Sequence, residues 1–138
     1  MTMRPTTVVL ITGHPGSGKT TLARYLAKAL ALPTFCKDDI KEILYDTLGW
    51  STDEWSMQLS IATWTLLYRH VEILLEANTD HVVEANFEPK YANAKWQALK
   101  ERFDLQLIQV RCEGDATTIL KRYRARIPDE ARHPGHRD

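Results

Sequence analysis

Residues 13–20, GHPGSGKT, constrain this chain more than any other stretch. They follow the unbroken apolar run Val8-Val9-Leu10-Ile11 and lead into Leu22-Ala23-Arg24-Tyr25-Leu26-Ala27-Lys28, so a glycine-rich turn joins a buried strand to a helix. Every fixed position of the pattern G-x-x-x-x-G-K-[ST] is filled, by Gly13, Gly18, Lys19 and Thr20. The spacing has a mechanical reason. Glycines let the backbone curl so that successive N–H groups face inward on an anion, and the helix that follows adds the positive end of its dipole. Gly13, Gly16, Ser17, Gly18, Lys19, Thr20 and Thr21 are therefore the candidate phosphate-binding residues. Lys19 is expected to set a mobile ammonium against the outer phosphates, and Thr20 to offer its hydroxyl to Mg2+. A plain Gly/Pro turn has a similar composition, but the strand before it and the helix after it are the context that the phosphate cradle requires.

The rest of the chain repeats the strand-then-helix theme. Thr6–Thr12 is β-branched and aliphatic without alternation, as in a parallel strand covered on both faces, and Pro33–Lys37, His81–Phe87 and Leu105–Cys112 read as further strands. Between them lie helical patterns. One covers Ile40–Leu48; a capping box at Ser51 and Glu54 opens a long one over Thr52–Ala77; Pro89 suits a first turn; and Ala116, Ile119, Leu120 and Tyr123 recur at helical intervals. Parallel strands need crossovers and helices supply them, so the expectation is an α/β layered fold. The long segment carries two apolar stripes, one through Trp55, Leu59, Ala62 and Leu66 and one through Met57, Ile61, Trp64, Tyr68, Val71 and Leu75, which predicts burial on two sides.

A chain of 138 residues, 43% hydrophobic and 26% charged, suits one soluble domain over 1–138. A formal net charge of +0 gives no chain-wide cationic field, so a nucleic-acid end is possible as a partner but not favoured. Cys36 and Cys112 each fall inside a candidate strand, as buried thiols in a reducing compartment do. No apolar run approaches the roughly 18 residues of a membrane span, and a cytoplasmic location is expected.

Acidic residues supply the second signal. Carboxyl ends of parallel strands open on one side of a sheet, so Asp38 and Asp39, after the second strand, should emerge on the rim that carries the phosphate cradle. One of the pair, Asp38 by preference, is positioned to take the proton of an acceptor hydroxyl, while the other caps the helix Ile40–Leu48. Glu84 ends the third strand, where it would meet Mg2+ through bound water or meet Lys41; the alternative is a solvated strand-end carboxylate. Asn86 lies just beyond, a candidate hydrogen-bonding partner for the acceptor. Trp55, Trp64 and Tyr68 could stack on a substrate or fill the core.

Taken together, GHPGSGKTT, CKDDIKE, VVEANFEP and the basic LKRYRARIPDEARHPGH resemble the small P-loop phosphotransferases that group polynucleotide 5′-hydroxyl kinases, chloramphenicol phosphotransferase and zeta-toxin-like kinases. The likeness spans almost the whole chain. It implies a three-layer, nucleoside-kinase-like P-loop NTPase fold with a parallel sheet of about four strands in the order 2-3-1-4; the resembled enzymes usually continue into a fifth strand and an adenine-contacting loop, and this chain is expected to depart from them there. It also implies transfer of the γ-phosphate of Mg-ATP to a hydroxyl of a small molecule or of a nucleic-acid 5′ end. Lys37-Asp38-Asp39 matches an Arg-Asp-Asp segment in which the first Asp is the general base, and Lys41 stands where those enzymes hold a basic substrate contact. By the same resemblance Asp39, Glu84 and Asn86 join Lys41 as substrate-side residues, and residues 38–77 build the acceptor site. Arg122 and Arg126, one helical turn apart in a lid over 114–138, would cover the transferring phosphoryl group. The competing class is a P-loop ATPase or nucleotide-binding module without a small acceptor. Against a motor stands the lack of residues for a helical lid domain, and against a GTPase the lack of Asn-Lys-x-Asp. His133 and His136 flank Pro-Gly without further ligands, so no zinc site is expected.

Overall fold

Strands that are apolar on both faces can only sit between layers, and the computed structural model, which describes residues 4–113, places them there. The elements are β1 (Thr6–Gly13), α1 (Lys19–Leu30), β2 (Thr34–Cys36), α2 (Lys37–Leu48), α3 (Asp53–Glu76), β3 (His81–Glu84), α4 (Pro89–Arg102) and β4 (Leu105–Cys112). All strand pairs are parallel, and the order is β2-β3-β1-β4, as expected. The register aligns the carboxyl ends: Glu84 lies opposite Ile11 on one side and Cys36 on the other, and Gly13 lies opposite Cys112.

Alternation along β1 divides the core in two. Val8 and Leu10 pack with Val83 against Leu67, Val71 and Leu75 of α3 and Ala92, Trp96 and Leu99 of α4. Val9 and Ile11 face the other way, with Val82, Cys36 and Ala23 of α1. The helices therefore form layers on both sides of the sheet. Among the described residues no helix is long and apolar enough to cross a membrane.

Several boundaries differ from the sequence reading for local reasons. α2 begins at Lys37, three residues before Ile40, so Asp38 and Asp39 lie inside its first turn and neither is the cap; Cys36 holds that position with no side-chain bond. Carboxylates at this end of a helix are stabilised by its dipole, which suits the early start. Thr52, not Ser51, caps α3, its hydroxyl accepting from the Trp55 N–H at 3.1 Å. The two apolar stripes of α3 do not coincide with what it buries. The covered row is Leu59, Thr63, Leu67, Val71 and Leu75, spaced by four, and Thr63 fits there because its hydroxyl donates to the Leu59 carbonyl at 2.7 Å. Met57 and Ile61 stand 67% and 61% exposed, since no described neighbour packs over that side. Cys36 is buried, and desolvation reinforced by the Glu84 charge pushes its thiol up to about 12; Cys112 is half-buried, and both are free.

Candidate functional site

The turn after β1 is held by its own backbone. The Ser17 N–H donates to the His14 carbonyl at 3.1 Å and the Leu22 N–H to Gly18 at 3.0 Å, so Gly18 becomes the N-cap of α1 at φ 90°, a left-handed conformation open to glycine without strain. Gly13 is required by space. A Cβ there would stand 2.6 Å from Ser17 Oγ and 2.7 Å from the Cys112 carbonyl oxygen, so β4 presses directly on the start of the turn. Gly16 and Ser17 are buried, Thr21 is exposed in the first turn of α1, and Lys19 is only 8% exposed.

Beside Lys19, the Thr20 hydroxyl donates to Oε1 of Glu84. Glu84 is 1% exposed, and its second oxygen, Oε2, is buried without a hydrogen-bond partner among the described residues. Burial raises its carboxyl above the ordinary range; the Thr20 bond and the Lys19 ammonium pull it back, and Asp38 and Asp39 push it further up. A solvated strand-end carboxylate is thus not what the fold makes of this residue. The contact expected with Lys41 is replaced by the contact with Thr20, because the register of β3 on β1 sets Glu84 beside the first turn of α1.

Across the cleft, the first turn of α2 carries two carboxylates with different neighbours. Asp39 meets Arg24 of α1 at 3.6 Å, and Asp38 has the Lys37 ammonium at 4.0 Å. Lys41, one turn further on, is 3% exposed and forms no ion pair among the described residues. Asn86 is exposed just after β3, next to Phe87, whose N–H donates to Thr12 Oγ1 at 3.0 Å. Lys19, Thr20, Glu84, Asp38 and Asp39 therefore gather at the carboxyl ends of β1, β2 and β3. Arg122 and Arg126, with the whole 114–138 segment, lie outside the described residues. The sequence reading missed Arg24 as the partner of Asp39; its place four residues after Thr20, on the same face of α1, is the signal that could have found it.

A hydroxyl and a carboxylate with one unpartnered oxygen form a hard donor set suited to Mg2+. Among the described residues no group of three or more His, Cys, Asp or Glu side chains could hold a metal ion. A cation here would thus draw most of its ligands from phosphates and water, as Mg2+ in nucleotide sites does.

A family model described as an AAA domain matches residues 8–136, nearly the full length and all of the loop and cleft just described. The chain belongs to this AAA-domain family. No curated protein sequence matches it. Among solved structures, this AAA-domain chain is similar to a protein from Chloroflexus aurantiacus provisionally assigned as a kinase, at 36% identity and a TM-score of 0.91 over 99% of this chain and 73% of that one. It shares its fold with a gluconokinase from Sinorhizobium meliloti, at 18% identity and a TM-score of 0.58 over 91% and 68% of the two chains. The Pnkp1/Rnl/Hen1 RNA repair complex contains the same fold, at 17% identity and a TM-score of 0.64, with 97% of this chain and 42% of that chain covered. The AAA-domain chain thus has the architecture of small P-loop kinases.

Proposed function

We propose that the protein is a kinase of one domain over 1–138 that transfers the γ-phosphoryl group of Mg-ATP to an alcohol. The observation that carries this reading is the pairing of two half-sites on one rim. A glycine turn with a buried lysine and a Thr20 hydroxyl bonded to the buried Glu84 lies on one side, and a carboxylate in the first turn of α2 lies on the other. A carboxylate so placed can take the proton of an alcohol brought up to the phosphate side.

In this reading backbone N–H groups between Gly16 and Thr21, other than that of Ser17, which donates to His14, hold the β- and γ-phosphates and Lys19 neutralises them. Thr20, and Glu84 through bound water, would hold Mg2+, which would offset negative charge on the transferring group. Asp38 accepts the proton of the acceptor hydroxyl as that oxygen forms a bond to the γ-phosphorus. The bond from that phosphorus to the bridging oxygen breaks, and ADP leaves with the electron pair. Asp39 is the less suitable base because Arg24 engages it from α1. The buried Lys41 ammonium, with no described carboxylate beside it, suits an anionic or strongly polar group of the acceptor, and Asn86 a hydrogen bond to it. Arg122 and Arg126 supply further positive charge to the transition state from the 114–138 segment.

Two variants test the assignment. Lys19→Ala should abolish Mg-ATP binding, whereas Asp38→Asn should leave it intact and lower phosphoryl transfer by roughly two to four orders of magnitude, the usual range for a general base. Equal loss of nucleotide binding in both would make Asp38 a structural residue. Labelled ATP offered with nucleosides, sugars, aminoglycosides and 5′-hydroxyl oligonucleotides would reveal the acceptor; turnover indifferent to all of them would return the protein to the ATPase class.

A further inference from the structure

We infer that Lys37, pinned over the Trp64 ring, is the positioning residue that aims Asp38 at the acceptor hydroxyl. The inference rests on the kinase reading of the same cleft and adds to it the group that holds the base in place. Asp38 stands in the first turn of α2 with its side chain 41% exposed, and the cap before it, Cys36, makes no side-chain bond to that turn. A carboxylate at such a position has several rotamers open to it, toward water or toward the N–H groups of its own helix. Proton transfer from an alcohol needs one of them.

The cations beside the two carboxylates differ in what stands behind them. Arg24 meets Asp39 at 3.6 Å with its side chain 68% exposed, so that pair forms in water, where holding a long side chain still offsets most of the attraction. Lys37 is only 16% exposed, and its ammonium sits 4.0 Å from Asp38 Oδ1 and 5.8 Å from the centre of the Trp64 ring. The ring face attracts the ammonium and limits the rotamers of its stem.

The ring is itself held. Trp64 meets the buried Phe87 edge-on at 5.4 Å and stacks on Tyr68 at 6.0 Å, and Tyr68 meets the buried Trp96 edge-on at 5.8 Å. Phe87 is fixed to β1 in turn, its N–H donating at 3.0 Å to Thr12 Oγ1, one residue before Gly13. Asp38 and the phosphate turn are therefore tied to one frame through Thr12, Phe87, Trp64 and Lys37. Such a frame fixes the distance between base and phosphate, and a misplacement of about 1 Å can lower a rate about a hundredfold.

The test uses the full chain with saturating labelled Mg-ATP and four alcohols, thymidine, gluconate, kanamycin and a 5′-hydroxyl oligonucleotide, and carries forward whichever takes most phosphate from wild type. Lys37→Met, which keeps a stem and removes the charge, should lower kcat roughly ten- to a hundredfold while acceptor KM and Mg-ATP Kd stay within about twofold. Lys37→Arg, which keeps a cation able to lie on a ring, should restore most of kcat. Trp64→Leu should lower kcat in the same way, and no further when combined with Lys37→Met, because the two act through one contact. Trp64→Phe keeps a ring face and should recover most of the loss. In an Asp38→Asn background Lys37→Met should cost nothing more, since no base is left to aim. Circular dichroism checks that each variant is folded; should Trp64→Leu not be, the Lys37 series and Trp64→Phe decide. An unchanged kcat in Lys37→Met, a Trp64→Leu as active as wild type, a loss as large in Asp38→Asn as in wild type, or a loss of Mg-ATP affinity would overturn the inference and leave the kinase reading standing. Transfer from wild type to none of the four alcohols would sink the kinase reading and the inference with it.

Discussion

Glu84→Gln should make the nucleotide-free protein more stable while weakening its hold on Mg-ATP. The side chain is 1% exposed, one oxygen accepts from Thr20 and the other has no partner among the described residues. An unsatisfied buried polar group costs about 1–3 kcal/mol and a charged one more. Glutamine keeps the oxygen that Thr20 needs and exchanges the unpartnered carboxylate oxygen for a neutral NH2, which is still unsatisfied but cheaper to bury. The expected gain is about 1–2 kcal/mol, which for a chain of 138 residues raises Tm by roughly 3–8 °C. The pH dependence carries the sign. The folded carboxyl lies above its ordinary value because of burial, so its contribution to stability is full below the unfolded pKa and is lost as pH rises through the folded pKa. The advantage of Glu84→Gln should therefore be small in mild acid and grow toward neutrality. Thermal melts in EDTA across that range provide the measurement. Adding Mg-ATP at about 100 times its Kd should stabilise wild type by about 2.7 kcal/mol and the variant by distinctly less. A variant that melts below wild type in EDTA at neutral pH, or gains as much from Mg-ATP, would refute the reasoning.

His81 titrates with the opposite sense. It is fully buried with Nδ1 2.9 Å from the Thr79 carbonyl, and desolvation lowers its pKa, so stability present above the unfolded value near 6.5 should be lost as pH falls, by at most about 1.4 kcal/mol per pH unit. Urea melts of His81→Gln should show a flatter acid limb; parallel profiles would assign the loss elsewhere. Gly13→Ala places a methyl 2.6 Å from Ser17 Oγ and 2.7 Å from the Cys112 carbonyl, and should cost about 1–3 kcal/mol and weaken ATP binding, read by thermal melt and nucleotide titration.

Much of this molecule could be read in its sequence because central parallel strands announce themselves. Val8-Val9-Leu10-Ile11 has no polar residue to place on a wet face, so helices on both sides followed, and the ends of β4 were read to the residue. The start of α2 was less visible, since Lys37-Asp38-Asp39 has no apolar periodicity and its helical preference comes from dipole and charge. α3 misled for another reason. Periodicity reports which faces are apolar, not which are covered, and Met57 and Ile61 satisfy the pattern while standing exposed, whereas Thr63 breaks it and is buried. The Thr20–Glu84 contact depends on how β3 registers against β1, a long-range fact that no local window contains. Asp39 with Arg24 joins two helices separated by β2 and was invisible for the same cause.

The placement of β1 between β3 and β4 has a consequence for how the protein comes into being. Its hydrogen-bonded partners are residues 81–84 and 105–112, so the strand that leads into the turn leaves the ribosome long before either neighbour exists. Contacts so distant in sequence form late and slowly. A nascent chain of a hundred residues already carries the whole glycine motif, yet without Cys112 to brace Gly13 it lacks the geometry to grasp a polyphosphate. The turn meets the strand that closes on it only when the sheet is finished.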